Sequence, residues 1–245
     1  MLYRCAMMFA AHPDDEIFMA GTMAKMADEG TRVVVVQMTD GGEGYPEVGM
    51  KDKIVEMRRR EAEAANAVLG VAKRCMLGQP DMGLVNDKAT LQEVMAIIRN
   101  ERPDAAFIQG GRTLHRDHLN TYHISLEALW HAGGPVCAAL GPSWKTPEIY
   151  FYKDAETDLQ PFVVQVKGYG HKFFEALATQ ESQFTLFSQH FGVGTREDFT
   201  REIERLKREG GRDVEHFWIA RDVLAFDVLP EAAAHRLPGW SLVTV

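Results

Sequence analysis

The sequence predicts an α/β fold, a Rossmann-like, doubly wound and mostly parallel sheet with helices on both faces and additions at its C-terminal end. Three observations predict it. Apolar runs alternate with helical patterns in the order β-α-β-α-β-α-β-α, and the loops between them are short. One run, VVVVQM at 33–38, places four β-branched residues in succession without alternation, which is the pattern of a strand buried on both faces. Two polar clusters, HPDDE at 12–16 and HRDH at 115–118, each follow an apolar run and precede a helix, where open α/β sheets hold their ligands.

Taken in order, the first strand runs from about Tyr3 to Ala11 and ends in HPDDE. A helix follows to about Glu29, with Gly30 just past its end and Met19, Met23 and Met26 as a core stripe. After VVVVQM comes the Gly-rich loop TDGGEGYPEVG. Its GGEG lacks GxGxxG spacing and does not open straight into a helix, which argues against a dinucleotide loop. From Lys51 to Leu69 the residues Ile54, Met57, Ala65, Val68 and Leu69 fall near one helical face, and Gly70 stops the helix. A short strand at about Lys73 to Leu77 leads into the loop GQPDMGLVND, then a helix at about Thr90 to Asn100, the strand AAFIQ, the HRDH cluster and a further helix. Beyond Trp130 the pattern weakens. Strands are expected near Glu148 to Tyr152, Phe162 to Val166 and Val223 to Val228, and helices near His171 to Ala178 and Glu197 to Glu209. With no repeat and no linker, the chain reads as one domain over residues 1–245, its core reaching to about 135 and its C-terminal additions filling 136–245.

Composition excludes several classes. At 46% hydrophobic and 25% charged residues the chain has the makings of a full core. A net charge of −8 leaves no basic footprint for a polyanion, so nucleic acid is not expected as a partner. The run Arg58, Arg59, Arg60 is flanked by Glu56, Glu61 and Glu63 at helical spacing and reads mostly as a solvated face. Cys5, Cys75 and Cys137 are odd in number and show no CxxC spacing, so neither a disulfide framework nor a cysteine metal site is expected. The N-terminal apolar stretch is too short for a signal peptide and no run spans a bilayer. A cytoplasmic protein without a membrane partner is expected, and a homo-oligomer is compatible with the sequence.

The two polar clusters carry the chemistry. An imidazole and a carboxylate three residues apart can share a metal, and the carboxylate beside them can move a proton. Pro and Asp at a helix start are also ordinary capping chemistry. The second cluster supplies the further donors that a metal site needs. Together, HPDD after the first strand and HxxH after the fourth resemble the PIG-L family, also called LmbE-like proteins, which are metal-dependent deacetylases of N-acetylglucosaminyl compounds. The resemblance covers about the first 130 residues. Arg58, Glu61 and Ala65 are similar to the family's RxxExxxA pattern. ALATQESQ resembles its ALxxHxSQ stretch, with Gln180 where histidine is common, and VEHFWIAR resembles its closing segment. Arg116 stands where the family often has proline between the two histidines.

The resemblance implies that His12, Asp15 and His118 bind the metal, that Asp14 is the general base, and that His115 stabilises the oxyanion or protonates the leaving amine. It implies Zn2+ as the ion, with Fe2+ or another divalent ion as alternatives. Two histidines and a carboxylate agree with an open hydrolytic site. Asp117 is expected to orient His12 or His118, Arg58 and Asp81 to touch substrate, and His123 to be structural. The implied reaction removes an N-acetyl or other N-acyl group from a small glucosamine-containing molecule. The alternatives are an amidase of a glycosyl-cysteinyl thiol conjugate and a non-catalytic metal- or ligand-binding module on the same fold.

Overall fold

In the computed structural model, which describes residues 3–155, 159, 161–190, 192, 194–209 and 213–220, the apolar runs of the first half line up as parallel strands. β1 (Cys5–Ala10) lies between β2 (Arg32–Thr39) and β4 (Ala105–Ile108). β3 (Val71–Gln79) flanks β2, and β5 (Glu148–Phe151) flanks β4, both in parallel. Two further strands, β6 (Pro161–Gln165) and β7 (Val214–Ile219), close the far edge in antiparallel sense. The sheet order is β3-β2-β1-β4-β5-β7-β6. The chain therefore winds outward from β1 on one side and returns at β4 to wind outward on the other. Such a reversal opens a crevice at the carboxyl ends of the two central strands. HPDD follows β1 and HRDH follows β4, so both clusters open onto that crevice.

The helices are α1 (Ala20–Asp28), α2 (Lys51–Leu69), α3 (Lys88–Glu101), α4 (Arg116–Ala132), α5 (Lys172–Thr179), α6 (Phe184–His190) and α7 (Arg196–Arg208). They cover both faces of the sheet, as β2 shows. Its Val33 and Val35 enter one core with Met19, Met23, Met26 and Phe173, and its Val34, Val36 and Met38 enter the other with Val94, Ile98 and Ile124. Alternate side chains of one strand pointing to two cores explain the unbroken apolar run.

Several element ends differ from the sequence expectation. Asp15–Met19 forms a turn of 3-10 helix before α1, because the loop must first fold back on β1. β3 is longer than expected at both ends, and α3 starts at Lys88, where the Asp87 side chain accepts from Thr90 N at 2.9 Å. Gly70 ends α2 in the left-handed region at φ 68°, as glycine does at low cost. α6 and β7 were not anticipated, and the expected strand at 223–228 lies outside the described residues. No described helix is long and apolar enough to cross a membrane.

Candidate metal centre and its surroundings

Backbone bonds shape the first cluster. Beyond β1 the chain curls so that Ala11 N and His12 N both donate to Asp15 Oδ2, at 2.8 and 3.0 Å. Thr39, at the end of β2, pins the same turn by donating its amide and hydroxyl to Ala11 O, at 3.0 and 2.8 Å. Asp14 sits at the start of the 3-10 turn but makes no capping bond. Its carboxylate pairs instead with the Arg58 guanidinium at 3.2 Å. The capping reading of this aspartate therefore fails. At the second cluster His115 is the N-cap of α4, its Nδ1 accepting from Asp117 N at 3.3 Å. Gln109, just past β4, donates to His118 O at 2.7 Å and holds the first turn of that helix.

These turns bring the three histidines together. His12 Nδ1 and His118 Nε2 face each other at 3.0 Å, and the ring centroids of His12, His115 and His118 are 4.7 to 4.9 Å apart. Among the described residues two sets of donor atoms gather within 4.8 Å, one from His12, His115 and His118, the other from His12, Asp81, His115 and Asp117. Asp15 belongs to neither set, its Oδ1 lying 3.8 Å from His118 Nε2 and 2.7 Å from Lys153 Nζ. On its other side, His12 Nε2 meets Asp81 Oδ1 at 3.2 Å and Asp117 Oδ2 at 3.4 Å. Asp117 is wholly buried and also accepts from the backbone of Met82 and Leu84, at 2.6 and 3.3 Å.

The electrostatics follow from these partners. Burial opposes charge on His12, but hydrogen bonds to Asp117 and Asp81 and the charges of Asp15 and Asp14 outweigh it and push its pKa up to about 10. Burial pulls His118 down to about 4, with Lys153, His12 and His115 adding to the effect against Asp15. Burial and the neighbouring His12 lower His115 as well. For Asp15, burial is overcome by Lys153, His118 and His12, which hold it below the usual carboxylate range. Asp81 is lowered too, because His12 and the Glu43 amide outweigh its burial. A neutral His115 whose Nδ1 accepts a backbone proton carries its own proton on Nε2 and is a donor there.

The gathered side chains could hold a divalent metal ion. His12 presents its Nδ1 toward His118 while its Nε2 is held by two carboxylates, the arrangement that fixes the tautomer and ring orientation of a histidine ligand. Three imidazoles gather within 4.8 Å, and the Asp15 carboxylate comes to 3.8 Å from His118 Nε2, a supply of nitrogen and oxygen donors of the kind divalent ions take.

The remaining expected site residues are placed as follows. Arg58 is buried and bonded to Asp14, and its Nε has no hydrogen-bond partner among the described residues. The glycine loop wraps it, for a Cβ at Gly41 would lie 3.0 Å from Arg58 Nε and 2.9 Å from Pro13 Cδ. That close approach, at φ +70°, is what the glycines of GGEG provide. Asp81, expected at the substrate, has one oxygen on His12 and the other on Glu43 N at 3.1 Å. Asp117 faces His12 and not His118. His123 is exposed on α4 and packs edge-on against Tyr122.

Residues with no role assigned from the sequence brace this site from the second half of the chain, three of them within the family-like stretches ALATQESQ and VEHFWIAR. Ser182 donates its amide and hydroxyl to Glu61, at 2.6 and 2.7 Å, and Gln183 donates to Gly44 O at 2.6 Å. Glu215 accepts from Gly21 N and Thr22 N, both at 2.9 Å, and so caps α1, which has no side-chain cap of its own. Lys153, two residues past β5, reaches Asp15. A signal for Lys153 existed, since any residue just beyond a parallel strand's carboxyl end falls on the ligand-bearing edge.

The chain is similar to known proteins in sequence and in fold. The family description PIG-L, GlcNAc-PI de-N-acetylase, matches residues 7–129. A 1D-myo-inositol 2-acetamido-2-deoxy-alpha-D-glucopyranoside deacetylase of Catenulispora acidiphila is 30% identical over 232 residues, covering 82% of this chain and 72% of that protein. A diacetylchitobiose deacetylase of Thermococcus kodakarensis is 29% identical over 188 residues, covering 71% of this chain and 67% of its own length. Among solved structures, the N,N'-diacetylchitobiose deacetylase of Pyrococcus horikoshii matches with a TM-score of 0.75 at 24% identity, over 95% of this chain and 89% of that one. A 4-carboxy-2-hydroxymuconate hydratase of Pseudomonas putida also matches, at TM-score 0.68 and 20% identity, over 88% of this chain and 95% of that one, so the shared fold alone does not select a reaction. With the family pattern matched over half its length and both motif clusters converging at one crevice, the chain belongs to the PIG-L family.

Proposed function

We propose that this protein is a zinc-dependent N-deacetylase, removing the N-acetyl or another N-acyl group from a small glucosamine-containing molecule. The observation that carries the reading is His12 Nδ1 facing His118 Nε2 at 3.0 Å beside the Asp14–Asp15 pair. His12, Asp15 and His118 would hold the ion, with Fe2+ the alternative metal. When bound, it would polarise the amide carbonyl and acidify a water molecule. Asp14 takes the proton of the attacking water. Arg58, fixed at 3.2 Å, orients that carboxylate. His115, neutral and protonated on Nε2, donates a hydrogen bond to the oxyanion, and the proton taken up by Asp14 passes to the departing amine. Arg58 and Asp81, both largely buried, support the site from behind more directly than they offer surface to a sugar. The proposal places the reaction in the cytoplasm, on the support of three free cysteines.

A second ligand assignment is favoured by the gathering of His12, His115 and His118 donors within 4.8 Å, in which His115 replaces Asp15. One experiment tests both. Metal content is measured on purified wild type, His118→Ala, Asp15→Ala and His115→Ala, alongside acetate release from N-acetylglucosamine, its glycosides and ring-free acetamides. The proposal expects metal loss in the first two variants, retention in His115→Ala, and turnover of the sugars above the acetamides. Metal lost in His115→Ala and kept in Asp15→Ala would transfer the ligand role. Metal without hydrolysis of any amide would make the protein a binding module.

A further inference from the structure

Asp15 is held twice over. Its Oδ2 is saturated by the amides of Ala11 and His12, at 2.8 and 3.0 Å, so the backbone alone fixes the plane of the carboxylate. Its Oδ1, the only oxygen left to a metal, already accepts from Lys153 Nζ at 2.7 Å. Lys153 is not a loose surface lysine. Its side chain is 13% exposed and its ammonium lies 4.4 Å from the centre of the Phe18 ring. Its backbone is pinned where β4 ends, since Lys153 O accepts from Gly110 N at 2.8 Å. A Cβ at Gly110 would lie 2.0 Å from Asp154 O, so this approach is open to glycine alone.

From this we infer that Lys153 acts on the metal through Asp15, as a built-in cation competing for the ligand oxygen. The inference rests on Asp15 being a metal ligand. Because two amides already set the orientation of the carboxylate, the ammonium is not needed to aim it, and its effect on a divalent ion is repulsive. In the metal-free protein the same ammonium neutralises a carboxylate that is almost fully buried. Lys153 thus stabilises the empty site and weakens the loaded one, which makes the ion exchangeable. A lysine with a merely structural role would stabilise both.

The test uses the full chain, stripped of metal and titrated with Zn2+ against a competing chelator, with Co2+ absorption reporting the ligand geometry. Wild type, Lys153→Met and Lys153→Arg are compared, with Lys153→Gln in reserve should the methionine variant fail to fold. Lys153→Met is expected to bind Zn2+ at least about tenfold more tightly, because one unit charge a few ångströms from a divalent ion is removed. Its metal-free melting temperature should fall, its Co2+ spectrum should keep the wild-type band shape, and Lys153→Arg should restore wild-type affinity. Affinity that is unchanged or weaker in both neutral variants would overturn the inference, as would an arginine variant as tight as the methionine one. If wild type itself binds no Zn2+ saturably, the site reading fails and the inference falls with it. If wild type binds and the neutral variants are no tighter, only the role of Lys153 fails.

Discussion

The two halves of this molecule contribute different things to the same crevice. The parallel half, through β4 and α4, supplies every proposed reacting group, and it does so with neighbours in sequence: His12, Asp14 and Asp15 on one loop, His115 and His118 on another. The half beyond it supplies no donor to either gathered set. It supplies braces, and each crosses a long stretch of chain: Lys153 to Asp15 over 138 residues, Ser182 to Glu61 over 121, and Glu215 to Gly21 over 194. Chemistry is therefore written locally and support is written at long range. A braced site of this kind can keep its reacting groups while its supports are exchanged, and the two classes of residue should fail in different ways when they are altered.

The largest expected effect lies in the first class. Asp14→Asn should leave metal content and melting temperature near wild type while turnover falls by about 10²–10⁴-fold, the usual loss for a general base. Metal analysis and steady-state kinetics on one preparation check it. Near-normal turnover would show that Asp14 is a brace for Arg58 and not a reacting group, and the division between the halves would blur.

Glu215→Ala should give the opposite signature. It strips the amides of Gly21 and Thr22 of the side-chain acceptor they have among the described residues, in a buried place, at a cost of about 1–3 kcal/mol for each amide. The melting temperature should drop by several degrees and amide exchange at the start of α1 should speed up, while bound metal per folded molecule stays unchanged. Loss of metal in the folded variant would mean that the far half helps to place the donors themselves.

The same division decides what could be read in the sequence. HPDD and HRDH are legible because their donors lie within four or five residues and sit after apolar runs, so local pattern and strand topology place them without any tertiary knowledge. The doubly wound order was legible for the same reason. β7 was not, because its inward positions are Glu215 and Phe217, and a buried carboxylate in the inward register hides the alternation that marks a half-buried strand. Only the sheet, which sets that carboxylate on the start of α1, gives it a reason to be there. Asp81, expected at the substrate, stands instead against His12, a placement not legible in the sequence because the turn that aims it passes through Met82 at φ 60°, a left-handed conformation that its residue type does not announce. The resemblance of Arg58 and Glu61 to the family's RxxE pattern carries no hint that Arg58 turns to Asp14 and Glu61 to Ser182, since neither partner lies on the helix itself.

The smallest effect sharpens the comparison most, because it falls on one hydroxyl, which donates to Glu61 and accepts from Gln183 Nε2 at 2.8 Å. Ser182→Ala removes the hydroxyl that donates to Glu61 Oε2 at 2.7 Å but keeps the backbone amide that donates to Oε1 at 2.6 Å. Burial already raises the Glu61 pKa against these bonds, so the variant should raise it further, but the carboxylate keeps one strong donor. The net cost of one hydrogen bond to a charged group, partly retained, is about 1 kcal/mol, which for a chain of this size lowers the melting temperature by roughly 2–4 °C. The sign with pH follows from the shift. A raised carboxylate pKa means that the folded protein holds this proton more tightly than the unfolded chain does. The penalty is therefore absent below the unfolded pKa, grows as pH rises from there through the folded pKa, and is constant above it. The stability deficit of Ser182→Ala against wild type should thus be larger at neutral pH than at acid pH, as paired thermal melts would show. Turnover should change by less than about threefold, since Arg58 and Asp14 keep their own pair. A drop in turnover of a hundredfold at unchanged melting temperature would place Ser182 among the reacting groups and end the separation between the halves.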